Sequence, residues 1–310
     1  MSTWIYSHPD CLEHVPGPGH PEAPARLSAV LQALRQPGFE ALTWQEAPLA
    51  STEQVLLVHT SDYIDEVRAT LPKAGYAVLD LGDTVISKGS WAAVMRCVGA
   101  ACAGVDAVLQ GQAQHVFCAT RPCGHHAEAD HAMGFCIFNQ VAIAALHARA
   151  AHGLKRVAVV DFDVHHGNGT QSAFYADSDL FFGSSHQSPF YPGTGSRQEK
   201  GVAGNIVNIP LAPGSGSQAF RQGMTDVLLP ALRRFAPELL LVSAGFDAHE
   251  KDPLGGLNFT DDDYHWITRE LMSVAKSSAK GGLVSVLEGG YSLEGLASGT
   301  AAHVRALMEG

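Results

Sequence analysis

Ionisable side chains follow an apolar run near the middle of the chain and recur at every second position. Residues 157–160 read Val-Ala-Val-Val, and Asp161, Asp163 and His165 come next. In extended chain, alternate side chains share one face. Carboxylate and imidazole are suitable ligands for Zn²⁺ or Fe²⁺, and three ionisable groups beside an apolar strand are costly without a compensating partner. The spacing therefore favours a metal site over a hydrogen-bonded turn.

Three further polar clusters occupy equivalent positions, each just after another strand-like run. They are the pair His125-His126 after residues 115–119, Asp247 after residues 239–242, and Tyr291 after residues 283–287. Histidines can exchange protons near neutral pH, an aspartate can bind a metal, and a tyrosine hydroxyl can donate to an oxyanion. Each cluster alone is better explained as a loop, a cap or a turn. Because ligands bind at the carboxyl ends of parallel strands, the four together predict one site.

Apolar strand-like runs alternate with helical stretches rich in Ala and Leu. The strand-like runs are residues 4–6, 115–119, 157–160, 180–182, 206–211, 239–243 and 283–287. The helical stretches are residues 25–34, 91–109, 139–151, 219–235 and 261–277. Strands that are apolar throughout predict a sheet buried on both faces, and the alternation predicts an α/β fold with parallel strands. We expect Pro230 to kink the fourth helix and Asp261 to cap the fifth.

Composition sets the broad class of protein. The 310 residues are 46% hydrophobic, which is enough for a sizeable core, and no composition break divides them, so residues 1–310 are predicted to form a single domain. The net charge of -11 argues against binding to nucleic acid or to an anionic membrane. No signal-peptide pattern or membrane-spanning run is found, and the six cysteines form no CxxC pair. These features predict a cytoplasmic enzyme with reduced cysteines.

Read in order, the motifs resemble those of class II histone deacetylases and their bacterial relatives, within the arginase–deacetylase superfamily. The matching segments are residues 121–127, 134–139, 161–171, 243–248, 252–256 and 288–291, preceded by residues 19–22 and Arg26 of an N-terminal loop. The segment 161–171, Asp-Phe-Asp-Val-His-His-Gly-Asn-Gly-Thr-Gln, is highly specific. The resemblance implies a single-domain, open, mostly parallel eight-stranded sheet flanked by helices.

The resemblance also implies a role for each polar group. Asp163, His165 and Asp247 would hold one Zn²⁺ per chain, with Fe²⁺ as the alternative metal. The other implied assignments are His125 and His126 as the proton-transferring pair, Asp161 and Asn168 as the residues that orient those rings, Tyr291 as the hydroxyl that polarises the carbonyl, Gly134, Phe135 and Tyr191 as the acyl-lysine tunnel, and Asp161 and Ser184 as part of a structural K⁺ site. Tyr191 departs from the more usual Phe. Cys123 replaces a common Pro, as a tolerated small residue or as a redox-sensitive thiol.

The implied reaction is hydrolysis of an acyl-lysine amide in a protein or peptide to free lysine and carboxylate. Leu254 falls where polyamine-selective relatives can carry a Glu, and an apolar residue there favours the acyl-lysine stem over an acylated small amine. Acetylpolyamine amidohydrolase activity is the alternative. A non-catalytic acyl-lysine-binding homologue is a distant one, because competent residues fill every catalytic position. Asp80 or Asp83 could contact the substrate backbone. The acyl-chain length and the oligomeric state stay open.

Overall fold

A sheet of eight parallel strands forms the centre of the computed structural model, which describes residues 2–80, 82–279 and 282–310. From one edge to the other the strands are β2 (Thr43–Glu46), β1 (Thr3–Ser7), β5 (His115–Cys118), β10 (Leu283–Leu287), β9 (Leu239–Ala244), β6 (Val157–Asp161), β7 (Leu180–Gln187) and β8 (Ile206–Leu211). Every pairing in this sheet is parallel. A separate antiparallel pair joins β3 (Tyr76–Val78) to β4 (Val85–Ser87).

Helices connect the strands and cover the sheet on both faces. They are α1 (Pro24–Ala33), α2 (Thr52–Val55), α3 (Ser61–Thr70), α4 (Ser90–Leu109), α5 (Gln140–His152), α6 (Asn168–Phe174), α7 (Ser217–Gly223), α8 (Leu229–Phe235), α9 (Asp261–Ser278) and α10 (Leu293–Glu309). Ala158 and Val160 of β6 enter a core with α1, α9 and α10, whereas Val157 and Val159 pack with α4 and α5 on the opposite face. The predicted burial of both sheet faces is therefore confirmed.

Contrary to the expectation that no run could span a membrane, helix α4 is long and apolar enough to cross one by length and composition alone. Within the fold, 67% of its apolar window is buried. Its side chains pack against the sheet and against α5. This burial is that of a core helix, whose apolar character follows from contacts on several sides.

The predicted elements are confirmed, with one local correction. As expected from Pro230, which cannot donate a backbone hydrogen bond, the fourth predicted helix is interrupted, by a π-helical turn at Met224–Leu228. Helix α9 is capped by Thr260 rather than Asp261, because the Thr260 hydroxyl and the Asp263 carboxylate form a capping box. The eighth strand is β2, a short edge strand of mostly polar sequence that the apolar runs did not indicate.

Candidate active site

The four polar clusters lie together at the carboxyl ends of the strands, because the strands that precede them are neighbours in the sheet. The order β5–β10–β9–β6 places their carboxyl ends side by side. The histidine pair follows β5, Asp163 and His165 follow β6, Asp247 follows β9, and Tyr291 follows β10. The clusters therefore meet, as the argument from parallel strands predicts.

Asp163, His165 and Asp247 form a group of possible metal ligands. Their ligand atoms lie within 4.8 Å of one another, and His165 Nδ1 is 3.1 Å from Asp163 Oδ1 and 3.2 Å from Asp247 Oδ2. Backbone N–H groups fix the carboxylates: Gly289 donates to Asp163 Oδ2 and Val164 to Asp247 Oδ1, both at 2.8 Å. Within the described part of the chain, Asp247 Oδ2 is buried without a hydrogen-bond partner. That oxygen is available to a cation.

The paired histidines stand beside this group, with ring centroids 4.0 Å apart. His125 Nδ1 lies 2.8 Å from Asp161 Oδ2, and His126 Nδ1 lies 2.8 Å from Asn168 Oδ1. The Asn168 amide nitrogen donates to the His126 carbonyl and to Glu128, which turns the amide oxygen towards the His126 ring. Since that oxygen can only accept, His126 carries its proton on Nδ1 and keeps a lone pair on Nε2.

The surroundings drive the pKa values of the two histidines apart. Burial opposes a charge on His125, but the carboxylates of Asp161 and Asp163 outweigh it and hold the pKa of that ring well above its usual range. Burial holds the pKa of His126 well below its usual range, and the charge of His125 lowers it further. Adjacent titratable groups with opposite tendencies are typical of sites that move protons.

The three possible ligands carry a surplus of negative charge. Burial raises the pKa of Asp247 to about 7, and the Asp163 carboxylate adds to this effect. Burial opposes a charge on His165, yet the carboxylates of Asp163 and Asp247, 3.1 and 3.2 Å from its Nδ1, raise its pKa to about 10. A proton on His165 offsets part of the buried charge, and a divalent cation would offset more of it.

Tyr291 is positioned by a buried arginine from the first turn of α1. Arg26 donates to the carbonyls of Glu288 at 2.6 Å and of Gly290 at 2.5 Å, and its guanidinium carbon lies 4.9 Å from the centroid of the Tyr291 ring. Glu22 pairs with Arg26 at 2.9 Å. The turn that carries the tyrosine is therefore fixed by charge-assisted hydrogen bonds.

Two further buried carboxylates support the site and received no role from the sequence. Glu288 accepts the backbone N–H groups of Gly124 at 2.7 Å and of His125 at 3.2 Å, and so fixes the segment before the histidine pair. Asp252 accepts the N–H of Tyr291 at 2.6 Å. The signal for Glu288 was present: a carboxylate directly after the apolar residues 283–287 is buried and needs donors.

A cavity of about 240 Å³ opens beside these groups. It is lined by Gly134, Phe135, Tyr191 and Leu254, the residues expected to contact substrate, together with His126, His165, Tyr291, Asp83 and Phe190. The Phe190 ring stacks on His165 with centroids 5.0 Å apart. Phe190 is thus an addition that the structure makes to the predicted lining.

The two aspartates left open by the sequence have different surroundings. Asp80 Oδ1 accepts the backbone N–H groups of Gly82, Asp83 and Thr84, so this side chain shapes its own loop. Asp83 lines the cavity, where burial and the neighbouring Asp80 raise its pKa to about 6. Asp83 is therefore the one placed to contact a substrate.

Asp161 and Ser184, the residues expected in a potassium site, are register partners on neighbouring strands β6 and β7 and are both buried. The six cysteines are free and buried. Cys123 Sγ lies 3.4 Å from Cys136 Sγ, so this thiol packs inward behind the histidine segment.

Gly134 offers a direct test of the cavity. Its φ is +57°, and a Cβ there would lie 2.5 Å from His126 Cδ2 and 3.1 Å from Tyr191 Cε1. The new Cβ should therefore displace the His126 ring from the position in which Asn168 holds it. We expect Gly134→Ala to lower kcat/KM by about 10²-fold. Gly111→Ala is the matched control: its φ is +73°, and no described atom lies within 4 Å of the new Cβ. Both variants should lose similar stability in thermal unfolding, and equal activity in the two would contradict the steric explanation.

The chain is similar to known proteins of one family over nearly its whole length. The family model of the histone deacetylase domain matches residues 20–307. The chain is 40% identical to a histone deacetylase-like amidohydrolase of Pseudomonas aeruginosa, over 91% of this chain and 80% of that protein. It is 39% identical to histone deacetylase 14, chloroplastic, of Arabidopsis thaliana, over 98% of this chain and 76% of that protein.

A solved structure shows the same architecture. The crystal structure of the HDA15 HD domain superposes with a TM-score of 0.93 at 34% identity and covers 99% of this chain and 90% of that one. Fold and sequence together define a hydrolase of the histone deacetylase type. The chain belongs to the histone deacetylase family.

Proposed function

We propose that residues 1–310 form one catalytic domain, a zinc-dependent deacylase that hydrolyses acyl-lysine in proteins or peptides to free lysine and a carboxylate. The observation that carries the proposal is the convergence of Asp163, His165 and Asp247 beside a histidine pair, at a cavity that Tyr291 also lines. A lysine side chain is a long apolar stem, so its acyl amide could reach these groups while the peptide stays outside.

The residues present fit a divalent metal. Asp247 Oδ2 is an orphaned buried oxygen among the described residues, and a Cβ at Gly289 would lie 2.0 Å from it and 2.6 Å from Asp163 Oδ2. Two carboxylates and one imidazole suit Zn²⁺, with Fe²⁺ as the alternative. When bound, the ion supplies a Lewis acid for the amide carbonyl and lowers the pKa of water. We also propose a structural K⁺ at Asp161 and Ser184, supported by their adjacency across two strands.

The protein groups divide the remaining work. Nε2 of His126, kept bare by the Nδ1 hydrogen bond to Asn168, takes the proton of the attacking water and later returns it to the leaving amine. His125 pairs with Asp161 and carries a positive charge beside His126, where it assists the proton transfer. The Tyr291 hydroxyl donates to the oxyanion that develops on the carbonyl oxygen of the amide. Free carboxylate and amine result without an acyl-enzyme.

The cavity lining favours acyl-lysine over acetylpolyamine. Leu254, 38% exposed, lines the cavity and offers no charge to a second amine. Asp83, on the same cavity, is the observation that supports the polyamine alternative, because a carboxylate could pair with that amine; with a peptide it would accept backbone N–H groups instead.

Turnover of an acetyl-lysine peptide and of N-acetylputrescine decides between the two substrates. We expect the peptide to have the higher kcat/KM in the wild type. Leu254→Glu should shift the ratio of the two kcat/KM values towards the polyamine by about 10-fold or more, because it adds a counter-charge for the second amine. Leu254→Gln, with similar size and no charge, is the control. Exclusive turnover of the polyamine by the wild type would refute the lysine proposal.

A further inference from the structure

A second group of metal-ligating side chains lies between two helices. Asp106 of α4 and His147 and His152 of α5 each place one ligand atom within 4.8 Å of the others. Both imidazoles converge on the same carboxylate oxygen: His147 Nε2 is 2.8 Å and His152 Nε2 is 2.6 Å from Asp106 Oδ1. All three side chains are partly exposed, so solvent ions can reach them.

The topology separates this group from the catalytic residues. Asp106 lies one turn before the end of α4, which leads into β5, and His152 is the last residue of α5, which leads into β6. A helix that connects parallel strands runs back along the sheet, so its C-terminus lies near the amino ends of the strands. The catalytic clusters follow the carboxyl ends. The two groups therefore lie at opposite ends of the strands, this one near the amino ends and the catalytic one at the carboxyl ends.

The local charge favours a cation at this place. A helix C-terminus carries partial negative charge, and the ends of α4 and α5 both lie here. Asp106 adds a full negative charge to the last turn of α4, which contains no basic residue of its own. A divalent ion would compensate this charge.

The imidazoles can present lone pairs without a change of net charge. In the hydrogen bonds of the described residues, His147 and His152 take part through Nε2 and not through Nδ1. In the structure each Nε2 donates to Asp106 Oδ1, so metal binding requires that each ring carry its proton on Nδ1 instead, which is a change of tautomer. The two Nε2 atoms, which converge on one carboxylate oxygen, then have lone pairs to offer an ion.

The geometry points to a second divalent-metal site, formed by Asp106, His147 and His152, that binds Zn²⁺ or a similar late first-row ion. Two imidazole nitrogens and one carboxylate oxygen are a preferred ligand set for such ions, and the exposure leaves room for water to complete the coordination. The ion is additional to the one proposed at the catalytic group. The bound ion would link α4 to α5 and stabilise the protein near the amino ends of the strands.

Metal content per chain tests this site. The purified holoenzyme is dialysed to equilibrium against micromolar Zn²⁺, and bound zinc is measured by mass spectrometry. We expect two zinc ions in the wild type, one in His147→Ala/His152→Ala, one in Asp163→Ala, and none in the triple variant. His265→Ala, which breaks an exposed histidine–carboxylate pair 3.0 Å from Glu309, is the matched control and should keep two.

Thermal unfolding gives a second readout. Added Zn²⁺ should raise the Tm of the wild type and of Asp163→Ala further than that of His147→Ala/His152→Ala, while the deacylase activity of the double variant stays at the wild-type level. Asp106→Asn keeps an oxygen that both rings can contact, and it should lose zinc with little change in Tm without zinc. One zinc ion in the wild type, two in the double variant, or a loss in His265→Ala would overturn the proposal.

Discussion

Asp163→Ala is expected to remove zinc from the catalytic group and to lower kcat/KM by at least about 10³-fold. Asp163 is fully buried, and its two oxygens lie beside His165 and the Gly289 N–H. Without it, one carboxylate and one imidazole remain as ligands, and the chemistry that the ion supplies is lost. Zinc content is best measured in the His147→Ala/His152→Ala background, where the second cluster makes no contribution, and should fall from one per chain to none.

A folding defect could imitate this result, because the substitution leaves the Gly289 N–H unpaired in the interior. Asp247→Asn separates the two explanations: it keeps an oxygen for the Val164 N–H and removes the charge. Asp10→Asn, at an ion pair with Arg96 2.9 Å away, is the control and should keep zinc and activity. Zinc and hydrolysis retained in both Asp163→Ala and Asp247→Asn would falsify the ligand assignment.

The position of the candidate active site could be predicted because each of its polar clusters has a local sequence signal. Apolar runs mark the buried strands, and each polar residue follows its run within a few positions. One rule about parallel strands then brings together Asp163 and Asp247, which are far apart in sequence. The strand order was not available from the runs themselves, because burial on both faces gives all central strands the same apolar pattern.

The buried ion pairs and hydrogen bonds behind the site could not be predicted from the local sequence pattern. Arg121 donates to both oxygens of Glu22 and to the carbonyls of Cys11 and His14. These contacts join segments about a hundred residues apart, and each member alone resembles an ordinary surface charge. Buried arginines are rare enough that composition gives no warning of them. Only the structure shows that Glu22 pairs with the guanidinium groups of both Arg26 and Arg121.

Weak intrinsic propensity explains why two elements, α10 and β2, were not predicted. Helix α10 contains Gly295 and Gly299, which disfavour a helix in isolation. A Cβ at Gly299 would lie 3.0 Å from Phe246 and 3.1 Å from Tyr264, so the glycine permits close packing that stabilises the helix from outside. Strand β2 is likewise fixed by pairing with β1 rather than by its own sequence.

Tyr291→Phe is expected to lower kcat by about 10²- to 10³-fold with little change in KM. The substitution removes one hydroxyl and keeps the ring. Contacts of that ring with Phe135, 5.9 Å between centroids, and with the Arg26 guanidinium therefore persist. The fold and the metal content should be unchanged, because the turn is fixed through backbone groups that Arg26 and Asp252 bind.

Tyr191→Phe is the control for that loss, because the same cavity is lined by both tyrosines. Tyr191 is 40% exposed and forms part of the wall, so removal of its hydroxyl should change kcat by no more than a few fold. Steady-state kinetics on one acetyl-lysine peptide measures both variants. If Tyr191→Phe loses the activity and Tyr291→Phe keeps it, the oxyanion donor is Tyr191 and the substrate carbonyl lies on the other side of the cavity.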